Sequence, residues 1–394
     1  MKLVRRFLFW CHLTVGVTAG VIIFTMSVTG VLLTYEKQIT AWADLRASRI
    51  ALPSSETSRL PVQTLLQEVR KARPGLTISS ITVRADASEP IAFGIAGGSF
   101  LFVNPYTGAV ISEGNRNVRG FFRGVTDIHR WLGAQGDNRV TARAITGACN
   151  LGFLFLVLSG FYMWWPRKWT KEQFRNVIWF KRRLPGKARD FNWHNVIGFW
   201  SVVPLFIIVL SAVVISYSWA SNLVYRVAGE IPPVSRGPQA LSNPITNRRD
   251  QDGEISLEGL DRLWGQAEQQ MSGWKSINLR LPTSADAPLI FTIDQGSGGL
   301  PQKRATLTLN RTTGEVIRWE PFSSYTAGRK LRTILRFAHT GEVAGIFGQT
   351  LAGLVSVGGA VLVFTGLALA LRRLRGWIRE ITEQPKVAEQ TENP

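Results

Sequence analysis

Four long runs without a charged residue limit this chain more than any other feature. Phe7 to Tyr35, Ala144 to Pro166, Phe191 to Tyr225 and Val343 to Leu371 contain no Lys, Arg, Asp or Glu. At a rise of about 1.5 Å per residue, roughly 20 apolar residues cross a bilayer core, and each run is that long. Lipid offers the backbone no hydrogen-bond partners, so each run is expected to be a helix. Basic residues set the orientation. Lys2, Arg5 and Arg6 precede the first run, a loop rich in Arg and Lys (167–190) joins the second to the third, and Arg372, Arg373, Arg375 and Arg379 follow the fourth. All three clusters mark the cytoplasmic face.

The reading is a membrane α+β protein with seven junctions. Helix one spans 7–35, a first extracytoplasmic module 36–142, helix two 143–166, the basic loop 167–190, helix three 191–225, a second module 226–338, helix four 339–371 and a cytoplasmic tail 372–394. The formal net charge of +19 would suit a nucleic-acid partner. Much of that excess flanks helix ends, where it meets anionic lipid, so nucleic acid is excluded. Ala41-Trp42-Ala43 imitates a signal-peptidase site, but the run before it exceeds a typical signal core and Glu36 and Lys37 intervene, so helix one is read as retained. Cys11 and Cys149 fall near opposite ends of helices one and two, an arrangement unsuited to a disulfide, and no C-x-x-C-H attaches a haem covalently.

The two modules repeat one plan. In the first, 61–73 reads as a helix and 78–83, 91–95 and 100–103 as strands, closing on Asn104-Pro105-Tyr106-Thr107-Gly108-Ala109-Val110-Ile111. In the second, 257–270 reads as a helix and 276–281, 289–293 and 305–309 as strands, closing on Asn310-Arg311-Thr312-Thr313-Gly314-Glu315-Val316-Ile317. The shared Asn-x-x-Thr-Gly-x-Val-Ile supplies a turn whose glycine takes positive φ. Because each half contains an even number of helices, the copies form a parallel internal duplication about an axis along the membrane normal.

A helix and three strands closing on N-x-x-T-G-x-V-I resemble a PepSY module. With H-R-W-L (His129 to Leu132) and H-T-G-E (His339 to Glu342) beside the helices, the chain from Val4 to Arg373 resembles the PepSY-associated transmembrane family. The resemblance implies a bacterial inner-membrane protein with cytoplasmic termini and periplasmic PepSY-like modules. It also implies kinship with ferric-siderophore reductases that bind b-type haem.

The chain has only four histidines, and each lies at the membrane boundary of a different apolar run: His12, His129, His194 and His339. His12 and His194 begin helices one and three at one depth, and each is followed by glycine four residues on, Gly16 and Gly198, which leaves a flat porphyrin room on that face. His129 and His339 precede helices two and four and share the other depth. Duplication therefore makes His12 face His194 and His129 face His339. With the family resemblance, this gives two bis-imidazole b-type haems whose irons lie on the order of 20–30 Å apart. For any single histidine the plain alternative is a headgroup contact or helix cap. Zinc favours four clustered ligands, which two separated pairs do not supply.

Arg123, Arg130, Arg143 and Arg336 are candidate partners for the propionates of the outer haem, since guanidinium matches a carboxylate in a fork. The alternative for each is an ordinary interfacial arginine. The helix glycines, Gly160 and Gly366 among them, are read as packing positions, and the tryptophan belt of Trp164, Trp165, Trp169, Trp193 and Trp200 as interface anchors. No nucleotide or hydrolase motif occurs. Electrons would come from a membrane quinol or a separate cytoplasmic reductase and pass to a ferric siderophore in the periplasm. The alternatives are a PepSY-based regulatory or peptide-binding membrane protein without redox activity, and a siderophore permease. Few intramembrane charges argue against the permease.

Overall fold

Four helices carry the apolar runs. The computed structural model describes residues 2–46, 48, 50, 57–95, 98–165, 170–233, 258–282, 284 and 287–390. The first half holds α1 (Lys2–Leu33), α2 (Glu36–Arg46), α3 (Val62–Ala72), β1 (Ile78–Arg84), β2 (Ile91–Ile95), β3 (Ser99–Val103), β4 (Val110–Ser112), α4 (Arg116–Trp131), α5 (Asn138–Trp164) and α6 (Lys171–Ile178). The second holds α7 (Gly186–Ser216), α8 (Ser218–Val227), α9 (Leu260–Gln270), β5 (Ser276–Arg280), β6 (Leu289–Asp294), β7 (Arg304–Leu309), β8 (Val316–Pro321), α10 (Ala327–His339) and α11 (Gly345–Gln390). Pro166, Trp169 and Leu257, which bounded or belonged to expected features, lie outside the described residues. Residues 1–34, 124–221 and 338–394 form one compact unit, and residues 35–123 and 222–337 a second.

The first unit contains four helices long and apolar enough to cross a membrane: Leu3–Leu33, Asn138–Trp164, Gly186–Ser216 and Glu342–Thr382. The third is shorter than its uncharged run. At Tyr217 the backbone turns extended, with φ −119° and ψ 126°, and α8 starts afresh at Ser218. Tyr217 packs at the level of Gly147, where an added Cβ would stand 2.8 Å from the phenol oxygen. α1 packs on α5 and α11, and α7 packs on the same two helices.

Small residues permit these approaches, because lipid supplies no hydrophobic drive between helices and close contact must do so. A Cβ on Gly152 would meet Val15 at 3.1 Å, one on Gly359 would meet Ser27 Oγ at 3.1 Å, and one on Gly358 would meet Ser201 Oγ at 2.8 Å. Polar ties finish the ends. Arg5 donates to the Met163 carbonyl at 2.9 Å, placing a cation on the C-terminus of α5. Arg372 pairs with the buried Asp190 at 2.8 Å, joining α11 to α7. Large side chains such as Val21, Val203 and Phe347 stay exposed on the outside of this bundle, as a lipid-facing surface requires.

The second unit is built on one antiparallel sheet in the order β4-β3-β2-β1-β5-β6-β7-β8. Each module contributes a four-stranded meander, and the two meet at β1 and β5 with Ile81 opposite Leu279 and Val83 opposite Ile277. That seam pairs an edge strand of each meander, so neither is left open there. Helices α3 and α9 cover the sheet through Val62, Leu65, Leu66 and Val69, and through Leu260, Leu263, Trp264 and Ala267. Both sets follow i, i+3, i+4, i+7, one apolar face of a helix. The core beneath includes Phe93 and Phe291, each at most 1 % exposed.

The two closing turns match bond for bond. Asn104 Oδ1 accepts from the Tyr106 and Thr107 amides, and Asn310 Oδ1 from the Thr312 and Thr313 amides. Gly108 has φ 73° and Gly314 φ 76°, the left-handed conformation expected there.

Candidate metal centre

The histidine side chains all belong to the first unit, and each leans on a hydroxyl of another helix. His12 lies ten residues into α1, and its Nδ1 is 2.8 Å from Ser159 Oγ on α5. His194 near the start of α7 places Nδ1 3.0 Å from Thr365 Oγ1 on α11. His129, in the last turn of α4, places Nδ1 2.9 Å from Thr29 Oγ1 on α1. His339, the last residue of α10, places Nδ1 3.0 Å from the Ile208 carbonyl and 3.5 Å from Ser211 Oγ, both on α7.

Two pairs result. The rings of His129 and His339 face each other with centroids 6.4 Å apart and planes 51° apart. His12 and His194 are close enough to interact electrostatically. Seventeen residues of helix separate His12 from Thr29, the partner of His129, and the same number, with Pro204 among them, separate His194 from Ser211, the partner of His339. At helical rise, that spacing sets the two sites about 25 Å apart along the bundle.

The first pair's dimension suits one iron. An iron–nitrogen bond of about 2 Å, plus about 1.1 Å from nitrogen to ring centre, counted on both sides, gives about 6.2 Å between centroids. Among the described residues no three His, Cys, Asp or Glu side chains converge. Donors in twos suit an ion whose other positions are filled by a macrocycle. A shallow cleft of about 570 Å³ at Thr365 is lined by Phe24, Val28, Trp193, Val361 and Phe364, together with Arg189 and Asp190. One buried donor, Trp164 Nε1, five residues past His12's partner Ser159 and stacked on Phe199 at 4.8 Å, has no protein partner.

The glycines differ from expectation in one respect. Gly16 faces Leu156 Cδ2 at 3.9 Å and Gly198 faces Leu362 Cδ2 at 3.6 Å, measured from an added Cβ. The glycines that meet the imidazoles are instead Gly160, 3.4 Å from His12 Cε1, Gly366, 3.4 Å from His194 Cε1, and Gly30, 3.7 Å from His129 Cε1. A helix offers its flattest approach to the element packed against it, so the bare positions lie on the facing helix rather than on the histidine's own.

The four arginines are all exposed. Arg130 lies over the Trp131 ring at 4.6 Å, and Arg143 donates to the Ser216 carbonyl at 3.4 Å. Arg123 and Arg336 belong to the second unit, Arg336 one turn before His339 along α10. Sequence reading missed Thr29, Ser159, Ser211 and Thr365. The signal was there: each hydroxyl is followed by a small residue, giving Thr29-Gly30, Ser159-Gly160, Ser211-Ala212 and Thr365-Gly366.

A bundle of four helices long and apolar enough to cross a membrane, in a chain with a second, antiparallel α+β unit, defines a membrane protein of α+β class. The chain belongs to the PepSY-associated TM region family, whose model matches residues 9–373. A comparison with curated proteins returns no match.

Proposed function

We propose that this protein is a bacterial inner-membrane electron carrier that holds two b-type haems, one between His12 and His194 and one between His129 and His339, and reduces a ferric siderophore. The carrying observation is the His129–His339 pair, whose 6.4 Å centroid separation matches two imidazoles on one iron. When bound, haem supplies one-electron redox chemistry within the lipid. The chain supplies the rest. Its four helices bring the imidazoles together, the helix bundle keeps water away from them, and hydroxyls on the opposite helices, or for His339 the Ile208 carbonyl, hold their Nδ1 protons.

The matched turns, the matched helix faces of α3 and α9, and the equal spacing from His12 to Thr29 and from His194 to Ser211 support a duplicated chain with two PepSY-like modules. The basic clusters support cytoplasmic termini and periplasmic modules. With electrons drawn from a quinol or a cytoplasmic reductase, one electron would convert Fe(III) of the chelate to Fe(II), which hard oxygen donors hold less tightly. Purified protein expressed with excess haem should show the reduced-minus-oxidised bands of b-type haem and should oxidise on addition of a ferric hydroxamate or catecholate chelate. Reduced protein that is not reoxidised by any ferric chelate would refute the substrate while leaving the cofactor in place.

One observation favours a second reading, a peptide-binding membrane protein without redox activity. Strand β8 is an edge of the sheet and exposes Val316 and Ile317, a surface on which an extended peptide can add. A periplasmic partner captured equally well after all four histidines are replaced would support that alternative.

A further inference from the structure

We propose that the hydroxyls of Thr29, Ser159 and Thr365, and the Ile208 carbonyl, are positioning groups that fix the tautomer and aim of the four histidines. This inference rests on the reading of those histidines as iron ligands. The argument begins with the hydroxyl protons. Thr29 Oγ1 donates to the Thr25 carbonyl at 2.6 Å, Ser159 Oγ to Phe155 at 2.7 Å, Thr365 Oγ1 to Val361 at 2.8 Å and Ser211 Oγ to Ile208 at 2.8 Å. A hydroxyl has one proton. With that proton committed to its own helix, the oxygen offers the histidine only lone pairs, so the proton between them belongs to Nδ1. A neutral imidazole protonated at Nδ1 carries its lone pair on Nε2, the nitrogen a metal needs.

The small residue beside each hydroxyl sets the ring's aim. With Nδ1 on the hydroxyl, the adjacent Cε1 lies against the next residue of the same helix, Gly30, Gly160 or Gly366. A side chain there would push the ring off the helix and turn Nε2 away. Carbonyls also lie behind His129, from Met26, and behind His194, from Leu362, and the fourth site differs in having the carbonyl nearer than the hydroxyl. Its dipeptide is Ser211-Ala212, and its Nδ1 bonds the backbone carbonyl of Ile208 at 3.0 Å in preference to the serine at 3.5 Å. A carbonyl accepts as a hydroxyl does, so this histidine has the same tautomer from an acceptor that side-chain replacement cannot remove. Hydrogen bonds of this type also raise the basicity of the ligating nitrogen, and losing one typically costs 10–100-fold in metal affinity.

The test uses the full-length protein with Thr29→Val, Ser159→Ala, Thr365→Val and Ser211→Ala made singly, reading haem stoichiometry, haem dissociation and the midpoint potential of each haem. The first three are expected to weaken haem retention about 10–100-fold at the affected site and to raise that haem's potential, because a less basic imidazole stabilises ferric iron less. Thr29→Ser, Ser159→Thr and Thr365→Ser should restore both. Ser211→Ala should match the unsubstituted protein. Histidine ¹⁵N shifts of the haem-free, unsubstituted protein give a second readout that needs no variant to fold, and all four rings should carry the proton on Nδ1. The inference is overturned if the three variants keep their haem and potentials, if Ser211→Ala is as damaging as Thr29→Val, or if the Nε2–H tautomer predominates. Variants unchanged in a protein that holds two haems would leave the cofactor reading intact, whereas an unsubstituted protein that binds no haem removes both.

Discussion

His129 and His339 come from different helices, 210 positions apart in the chain, and place their ring centroids 6.4 Å apart. Two long-range partners hold that geometry, Thr29 behind His129 and Ile208 behind His339. Neither histidine can lose its neighbour without leaving the other beside an unfilled position.

Single replacement should therefore subtract haems one site at a time. His129→Ala and His339→Ala are each expected to lower haem content from two per chain to one, with the remaining haem spectrally unchanged, and the double variant should do no more than either single. His12→Ala should remove the other haem. Pyridine haemochrome against protein concentration measures all four.

The sheet core gives a prediction independent of any cofactor. Phe291 is fully buried, stacked edge-on against Trp264 at 5.7 Å. Phe291→Ala removes a large buried ring and should cost about 3–5 kcal/mol. A lowered thermal transition of the second unit would register it, while haem content should stay at the unsubstituted value.

A turn substitution tests the repeated Asn-x-x-Thr-Gly segment. Gly314 has φ 76°, and a Cβ there would meet Leu263 Cδ2 at 3.2 Å. Gly314→Ala should cost about 1–2 kcal/mol from the left-handed conformation alone, and Gly108→Ala should cost a similar amount in the other module. Denaturant midpoints of the two variants should fall together.

Glu230 supplies a pH signature. Its carboxylate accepts from the Gly328 amide at 2.9 Å and the Thr326 hydroxyl at 2.8 Å, at the N-terminus of α10. The amide bond first, then the hydroxyl, hold its pKa below the ordinary 4.5. A depressed carboxylate stabilises the fold fully above its ordinary value and loses that contribution as pH falls through the lower, folded value. Unfolding temperature should therefore drop below about pH 4.5 by more in the unsubstituted protein than in Glu230→Gln. Equal slopes in the two proteins would contradict this assignment.

Much of the fold was legible because its elements follow plain patterns of charge and polarity. Four uncharged runs gave the four helices, and period-two apolar strands with Asn-x-x-Thr-Gly turns gave the meanders within a residue or two. The seam between β1 and β5 was not legible, since both strands read as complete half-buried elements and nothing local says which edge meets which. Tyr217 ended α7 inside an uncharged run, because polarity marks where lipid stops and not where a helix breaks. At the site, the histidines stood out by rarity. Their hydroxyl partners did not, because Ser and Thr are common in membrane helices and bond their own backbone there. Gly16 and Gly198 drew attention for lying on the histidines' own helices, while the ring contacts fall on glycines across the bundle.

The most direct test is the optical spectrum and haem-to-protein ratio of the full-length protein purified after expression with excess haem. The account predicts two b-type haems per chain, both low-spin with two imidazole ligands. A protein that is folded, monodisperse and free of haem under those conditions would contradict it.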